Sequence, residues 1–155
     1  MSVLVLMSDA EYEAFVDAAV PAYAADKVAS GQWTKEQSLD LSRKAFVELL
    51  PQGRETADNY LFSVVDDQAR PVGTLWFAAK EQAGKRIAYI CDIRIRPTYQ
   101  RRGHATRALV AVEAESRKLG LCGIGLHVFG HNAGAQALYE ALGYRSTNIN
   151  LFKAL

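Results

Sequence analysis

A glycine-containing turn between a predicted strand and a predicted helix constrains this chain more than any other segment. The turn, Gln100–Ala105, follows an apolar strand-like run, Ile87–Ile95, and opens a run whose apolar residues recur at helical spacing as far as Leu119. A strand that leads through such a turn into a helix directs free backbone N–H groups and the positive end of the helix dipole at one point. The turn therefore predicts a site for a phosphate or pyrophosphate.

A second motif lies downstream, where a short helix is predicted. Asn132 opens this helix, and Ala135 and Tyr139 follow it three and seven residues later, which is the spacing of residues on one helix face. Gly143 and Tyr144 come directly after its predicted end. Asn is a favoured N-cap residue, and Gly is favoured just past a helix, so the bounds of the helix have a physical basis.

Both motifs resemble those of the GNAT family of N-acetyltransferases. The acyl-CoA-binding pattern of that family is Gln/Arg-x-x-Gly-x-Gly/Ala, and Gln100, Gly103 and Ala105 match it. Residues 131–144 resemble the C-terminal motif of the same family. Because two motifs occur in the right order and at the right spacing, the chain is identified as a member of the family. The match is strongest from Tyr89 to Tyr144.

Apolar spacing and turn residues predict the other elements. Predicted strands cover residues 3–7, 61–65, 72–77, 87–95 and 121–129, and the tail from Tyr144 to Phe152 is expected to add a last one. Predicted helices begin at the capping boxes Ser8–Glu11 and Thr34–Gln37 and cover residues 101–119 and 133–142. Pro21 is expected to kink or end the first helix, because proline lacks the backbone N–H.

This order of elements agrees with the architecture that the resemblance implies. The implied fold class is α/β (α+β), the GNAT acyl-CoA N-acyltransferase fold. Its central sheet is mixed and mostly antiparallel, is flanked by helices and contains two splayed parallel strands. No linker or repeat divides the chain, so residues 1–155 are expected to form a single N-acetyltransferase domain.

The resemblance also implies where acetyl-CoA binds. The pantetheine arm would enter the gap between the two splayed strands and bond to their backbone as an added strand does. Backbone N–H groups of the turn would hold the pyrophosphate, and Gly103 would allow a close approach because it has no Cβ. The implied cofactor-binding residues are Ile93, Arg94, Ile95, Gln100, Arg101, Arg102, Gly103, His104, Ala105, Thr106, Asn132 and Tyr139.

Tyr139 is the implied catalytic residue. A phenol near the thioester sulfur can donate a proton to the CoA thiolate after an amine has attacked the carbonyl carbon. The implied activity is transfer of the acetyl group of acetyl-CoA to a primary amine of a small molecule, peptide or protein, without a covalent enzyme intermediate. A structural core tyrosine is the alternative for Tyr139, and a non-catalytic acyl-CoA-binding module is the alternative for the whole chain.

The general base is not assigned by the sequence. The position that carries a carboxylate in some relatives falls on Tyr89. Strand alternation places Asp92 on the opposite face from Tyr89, although a β-bulge could rotate it. Glu36 and Glu48 on the second helix, or water alone, are the other candidates.

Charge and composition limit the partners. Eighteen basic residues against seventeen acidic ones give a formal charge of +1, which argues against broad binding to nucleic acid or to a membrane surface. The local cluster of Arg94, Arg96, Arg101, Arg102 and Arg107 is better explained by a polyphosphate ligand. A cytoplasmic protein is expected, since no run approaches the length of a membrane span. Family members are often dimers, so a homodimer is an expectation that no motif here specifies.

Neither cysteine predicts a metal site or a nucleophile. Cys91 and Cys122 lie in apolar runs without the neighbours that a zinc site requires, so both are expected to be buried free thiols and no metal is expected. The acceptor site should form around the first two helices and the loop between them. The aromatic candidates for its walls are Phe15, Tyr23, Trp33 and Trp76.

Overall fold

A computed structural model describes residues 3–155 of the chain. A short strand and two long helices come first: β1 Leu4–Leu6, α1 Asp9–Ala29 and α2 Lys35–Leu49. Three longer strands follow: β2 Asn59–Val65, β3 Pro71–Gln82 and β4 Lys85–Ile95. The last elements are α3 His104–Lys118, β5 Ile124–Leu126 and α4 Ala133–Ala141. Single turns of 3₁₀ helix occupy Gly53–Glu55 and Pro97–Tyr99.

The two N-terminal helices begin differently. The capping box before α1 is confirmed, since the Glu11 N–H donates to the Ser8 hydroxyl at 3.2 Å and the Ser8 N–H donates to the Glu11 carboxylate at 2.7 Å. The capping box before α2 is wrong, because the Thr34 hydroxyl bonds to the Gln37 side chain at 3.4 Å and caps no backbone group. The helix nevertheless forms, with its inner face packed on α1 and the sheet.

Pro21 does not end α1, which continues to Ala29. The helix around it is tied to α2, because the buried Ser42 hydroxyl donates to the Val20 carbonyl at 2.6 Å. This bond ties α1 to α2 next to the proline, and the helix continues through it.

The five strands form one sheet in the order β1-β2-β3-β4-β5, and the mixed, mostly antiparallel arrangement is confirmed. The first three pairings are antiparallel, and β5 runs parallel to β4. The parallel pairing covers only three residues of β4, from Ala88 opposite Ile124 to Ile90 opposite Leu126. Because β4 continues to Ile95 while β5 stops, the two strands leave a gap between them. The predicted strand over residues 121–129 is therefore too long.

A β-bulge interrupts β4 at Cys91. Trp76 of β3 lies opposite Asp92, while the next residue, Phe77, lies opposite Ile90. Cys91 is the extra residue on β4, and the strand alternation is reset after it. Asp92 consequently points to the same face as Trp76, and the expectation from simple alternation is wrong.

The two faces of the sheet carry separate cores. One core joins the sheet to α3 and includes Leu75, Phe77, Ala88, Ile90, Leu109 and Val112. The other joins the opposite face to α1 and α2 and includes Phe15, Ala19, Val20, Phe46, Leu61 and Trp76. The bulge at Cys91 therefore moves a carboxylate from the α3 side to the α1–α2 side. The tail after α4 forms no strand, so the strand predicted there is absent from residues 144–155.

Candidate active site

The turn before α3 presents a run of free backbone donors. Within the described residues, the N–H groups of residues 101–106 donate to no protein acceptor. The first helical bond runs from the Arg107 N–H to the Gly103 carbonyl at 3.1 Å, and the Gln100 N–H is occupied by the Pro97 carbonyl at 3.3 Å. Six consecutive free donors at a helix N-terminus fit a pyrophosphate, and Gln100 is left out of this set.

Left-handed backbone conformations shape the turn. Gly103 has φ of +81° and Arg101 has φ of +61°, and the first of these positions favours glycine strongly. A Cβ on Gly103 would lie 2.8 Å from the Arg107 guanidinium. The Gln100 side chain donates to the Ile95 carbonyl at 2.9 Å and so ties the turn to the end of β4.

Arg107 holds the turn from inside the helix, a contact that the sequence analysis did not assign. Its guanidinium donates to the Arg102 carbonyl at 3.0 Å and lies 3.0 Å from His104 Nδ1. The His104 ring packs edge-on against Tyr99 at 6.2 Å. Its position four residues after Gly103 could have indicated this contact in the sequence, because residues i and i+4 lie on one helix face.

The gap between β4 and β5 exposes the backbone edge of the last β4 residues. Ile93, Arg94 and Ile95 pair with β3 on one side and have no strand on the other among the described residues. The side chains of Ile93 and Ile95 pack against the α3-side core, which holds this edge in place. An extended ligand arm can add to such an edge through main-chain hydrogen bonds.

Asn132 caps α4, as its position predicts. Its side-chain oxygen accepts from the Ala135 N–H at 3.3 Å. The residue is exposed at the end of the segment that follows β5. The contact between Asn132 and the pantetheine arm stays a prediction.

Tyr139 is half-buried against the α3-side core, next to Tyr144 at 5.6 Å between ring centroids. Burial raises the pKa of Tyr139, and the negative charge of Asp92 adds to this effect. The phenol therefore keeps its proton at neutral pH and can act as a donor. The neighbouring Tyr144 hydroxyl is buried with no hydrogen-bond partner among the described residues, and burial raises the pKa of Tyr144 to about 12.

The bulge at Cys91 places the Asp92 carboxylate on the α1–α2 face of the sheet. Its Oδ1 lies 3.4 Å from the Arg94 Nε, whereas its Oδ2 is buried without a hydrogen-bond partner within residues 3–155. Burial raises the pKa of Asp92, the Arg94 guanidinium partly offsets this, and the charge of Asp26 on α1 raises it further. A carboxyl group in such surroundings accepts a proton more readily than an exposed one.

The other candidates for a base are placed less favourably. Glu36 and Glu48 are exposed on α2, and Glu48 faces Lys44 at 4.0 Å. Tyr89 is half-buried, with the Lys80 ammonium 4.3 Å above its ring, and it carries no carboxylate. These solvated glutamates match the ordinary surface role of that residue type.

The aromatic residues expected to line an acceptor site lie on α1, in the loop after it and on β3. Tyr23 and Trp33 pack edge to face at 5.5 Å, whereas Phe15 and Trp76 are buried in the core. His131 Nε2 lies 3.1 Å from an Asp26 carboxylate oxygen and thus joins α1 to the segment before α4. This link joins residues 105 positions apart and has no local sequence signal.

The cysteines differ from each other. Cys91 is half-buried at the bulge, and burial raises the pKa of its thiol to about 11. Cys122 is exposed before β5, so the expectation that it is buried is wrong.

Among the described residues no group of three or more His, Cys, Asp and Glu side chains could hold a metal ion. The helices of this part of the chain are all too short or too polar to cross a membrane.

Comparison with known proteins agrees with this geometry. The model of the acetyltransferase (GNAT) family matches residues 22–144. The chain is 32% identical to the uncharacterised N-acetyltransferase YdgE of Bacillus subtilis over 149 residues, covering 96% of this chain and 95% of that protein. It is 34% identical to the uncharacterised N-acetyltransferase YycN of the same organism, covering 96% of both.

Solved structures share the fold. The crystal structure of the putative acetyltransferase YycN superposes with a TM-score of 0.93 at 34% identity, covering 98% of this chain and 97% of that one. A putative acetyl transferase from Pyrococcus furiosus superposes at 0.67 with 20% identity, covering 92% and 95%, which supports the fold alone. The family match and the two relatives together establish that the chain belongs to the GNAT acetyltransferase family.

Proposed function

We propose that this protein, acting as one domain over residues 1–155, transfers the acetyl group of acetyl-CoA to a primary amine. The observation that carries the proposal is the run of free N–H groups at residues 101–106 beside the open edge of β4. The first feature fits the pyrophosphate and the second fits the pantetheine arm of one CoA molecule. A nucleotide alone would leave the open strand edge without a ligand.

Two side chains, Asp92 and Tyr139, are proposed to provide the acid–base chemistry beside this CoA site. Asp92 takes a proton from the ammonium form of the acceptor, directly or through water, and the neutral amine attacks the thioester carbonyl. A backbone N–H of the open β4 edge stabilises the oxyanion that forms. Collapse of the tetrahedral intermediate forms the amide and breaks the C–S bond, and Tyr139 donates its proton to the departing thiolate. The excess proton on the nitrogen is lost to solvent.

The acceptor is proposed to approach from the α1 side. Asp26 and Asp92 are both close enough there for the charge of one to raise the pKa of the other, and the half-buried rings of Tyr23 and Tyr89 lie on the same side. Carboxylates and aromatic rings attract an ammonium group before it is deprotonated. A cationic amine of a small molecule, peptide or protein is therefore the proposed acceptor class.

A non-catalytic acyl-CoA-binding module is the competing function. This alternative depends on the lack of an evident base, and Asp92, whose own Oδ2 is buried without a hydrogen-bond partner among the described residues, argues against it. Both functions require CoA, so binding alone does not separate them.

Two measurements test the proposal in sequence. Calorimetric titration with acetyl-CoA should show stoichiometric binding, and no binding at millimolar ligand would contradict both functions. A screen of primary amines with acetyl-CoA, read as release of free thiol, should then find acceptors. Binding without transfer to any amine class would favour the non-catalytic module.

A further inference from the structure

The two faces of β4 are covered to different degrees. Ala88 and Ile90 point to the α3 side, where both are buried. Ile87 and Tyr89 alternate with them, point to the α1–α2 side and are only half-buried. The α1–α2 face of the sheet therefore has an accessible surface around Ile87 and Tyr89.

The neighbouring strand adds no side chain to this surface. Gly125 of β5 lies opposite Tyr89, and Gly123 comes two residues earlier on the same face. A Cβ on Gly125 would lie 3.3 Å from Ile87 Cδ1 and 3.7 Å from Tyr89 Cδ2. Glycine in a strand often marks a place where a ligand approaches closely. We call this surface the Tyr89 shelf; it consists of Lys80, Ile87, Tyr89, Gly123 and Gly125.

Lys80 of β3 places a positive charge on the shelf. Its ammonium lies 4.3 Å from the centroid of the Tyr89 ring, which is a cation–π contact. Burial raises the pKa of the nearby Cys91 thiol, and the charge of Lys80 offsets part of this rise. No carboxylate within residues 3–155 forms an ion pair with Lys80. The shelf therefore presents a cation without a counter-ion from the described part of the chain.

Carboxylates lie at the end of the shelf nearer the open edge of β4. Asp92 is on this face, and its Oδ2 is buried with no hydrogen-bond partner among the described residues. Burial raises the pKa of Asp92, and the charge of Asp26 on α1 raises it further, so the two carboxylates are near each other. A surface with carboxylates at one end and the Lys80 ammonium at the other suits a ligand that carries both an amine and an anion.

The register of the sheet gives the spacing of these charges. Trp76 lies opposite Asp92, and Ala78 lies opposite Tyr89. These two levels of the sheet are two residues of β3 apart, which is about 7 Å along the strand. The Lys80 ammonium is above the Tyr89 ring, so its separation from the Asp92 level along the strand is also about 7 Å.

We propose that the acceptor is an aminocarboxylate whose carboxylate binds Lys80 while its amine lies at Asp92. The inference rests on the proposed function, since it names the acceptor class of the same site. A chain of several methylene groups separates the two ends of the acceptor and packs on the apolar surface of the shelf. Lys80 determines which amine is bound and takes no part in proton transfer.

Acetyl transfer to two matched acceptors tests the role of Lys80. The acceptors are ε-aminocaproate and ε-aminocaproamide, which share one methylene chain and differ in the charge at the far end. The wild-type protein should use the acid with a kcat/KM about tenfold above that of the amide. The difference should lie mainly in KM, because Lys80 binds the carboxylate equally in the ground state and the transition state.

Variants of Lys80 identify the source of this preference. Lys80→Met should remove it and leave kcat for the amide unchanged, whereas Lys80→Arg should retain it because the positive charge remains. Lys118→Met is the matched control, since Lys118 is an exposed lysine on α3, across the sheet from the shelf. This control should keep the full preference for the acid.

Calorimetry of the protein saturated with CoA gives an answer that requires no transfer. The wild-type protein should bind ε-aminocaproate about tenfold more tightly than ε-aminocaproamide, and Lys80→Met should bind both equally. Preferential binding of the acid without transfer would contradict the proposed function and support the anion site. Transfer to acid and amide with equal kcat/KM would overturn the anion site and support the proposed function.

Two further outcomes would overturn the assignment of Lys80. One is a preference for the acid that persists in Lys80→Met, which would place the anion elsewhere. The other is tighter binding of hexamethylenediamine than of ε-aminocaproate by the wild-type protein. That result would mean that the carboxylates of Asp26 and Asp92 govern the whole shelf and that the acceptor is a diamine.

Discussion

Asp92 lies directly opposite Trp76 in the β3–β4 ladder, so the carboxylate and the indole share the α1–α2 face of the sheet. The extra residue Cys91 produces this arrangement, since Ile90 already pairs with Phe77. Without the bulge, Asp92 would point into the α3-side core, where an unpaired charge is costly. The bulge therefore turns a residue that alternation assigns to the core into a candidate base.

Asp92→Asn should lower kcat/KM by about 10²–10⁴-fold, because general-base catalysis contributes rate factors of that order. The acidic limb of the pH–rate profile of the wild-type protein should lie above the ordinary value of 3.8, since burial raises the pKa of Asp92. This limb should vanish in the variant. Steady-state kinetics across pH would measure both effects. Glu48→Gln is the control on exposed α2, and an equal loss there would exclude a special role for Asp92.

The same substitution should stabilise the fold at neutral pH. Folding raises the pKa of Asp92, so the folded state holds this proton to higher pH than the unfolded state does. Stability therefore falls as pH rises through that window, and Asp92→Asn removes the loss. Thermal melts should therefore show a higher Tm for the variant than for the wild-type protein at pH 7. The gain should fade below pH 3.8.

Asp66→Asn is the matched control for Asp92→Asn, and the opposite effect on stability is expected. Hydrogen bonds from the Arg70 and Gln68 backbone hold the pKa of Asp66 below 3.8. This carboxylate contributes stability above its unfolded pKa, and the contribution is lost as pH falls through the folded pKa. Asp66→Asn should therefore lower Tm at pH 7. A loss of stability in both variants would contradict the sign assigned to Asp92.

Tyr139→Phe should lower kcat by about 10²-fold or more while the affinity for acetyl-CoA changes little, because it removes a proton donor and keeps the ring. Calorimetry and steady-state kinetics would separate the two quantities. Tyr144→Phe is the control, since it removes a hydroxyl with no partner from the adjacent ring. This control should keep the rate and should not lose stability. An unchanged rate in Tyr139→Phe would leave this residue a structural role only.

Gly103→Ala should weaken acetyl-CoA binding about tenfold or more, because a Cβ would lie 2.8 Å from the Arg107 guanidinium, which bonds to the turn carrying the free N–H groups. Gly120→Ala is the matched control at the other end of α3. Its φ of +72° is close to the +81° of Gly103, so both changes should cost about 1 kcal/mol of stability. Calorimetry and thermal melts should show equal destabilisation and a binding defect in Gly103→Ala alone. Equal binding in the two variants would reduce Gly103 to a turn residue.

Alkylation should distinguish the two cysteines. Burial raises the pKa of Cys91 to about 11, so only about one thiol in ten thousand is ionised at pH 7. Exposed Cys122 should react with iodoacetamide first, as read by peptide mass spectrometry. Alkylation at Cys122 should leave acetyl transfer unchanged. Faster reaction at Cys91 would mean that the bulge is open to solvent.

Local chemistry made much of the fold predictable. The strand–turn–helix around Gly103, the cap at Asn132 and the capping box at Ser8 each depend on residues within a few positions of one another. Spacing and backbone preference act at that range, so a single sequence reveals them. The second capping box failed because Thr34 bonds to a side chain, a choice among local partners that the pattern does not distinguish.

Contacts between segments far apart in the sequence decided the remaining features of the fold. The length of β5, the exposed Cys122 and the absence of a strand in the tail depend on which neighbours are present beside these segments. The link between Asp26 and His131 likewise forms only when α1 meets the loop before α4. Such contacts leave no periodic pattern in the sequence, because their partners are far apart along the chain.

The sequence by itself determined the glycine turn, the helix after it and membership of the GNAT family, since these depend on backbone geometry and motifs that nearby residues set. Only the tertiary structure decided on which face of the sheet the Asp92 carboxylate lies. The face that Asp92 occupies depends on the register between β3 and β4, and one unpaired residue, Cys91, reverses it.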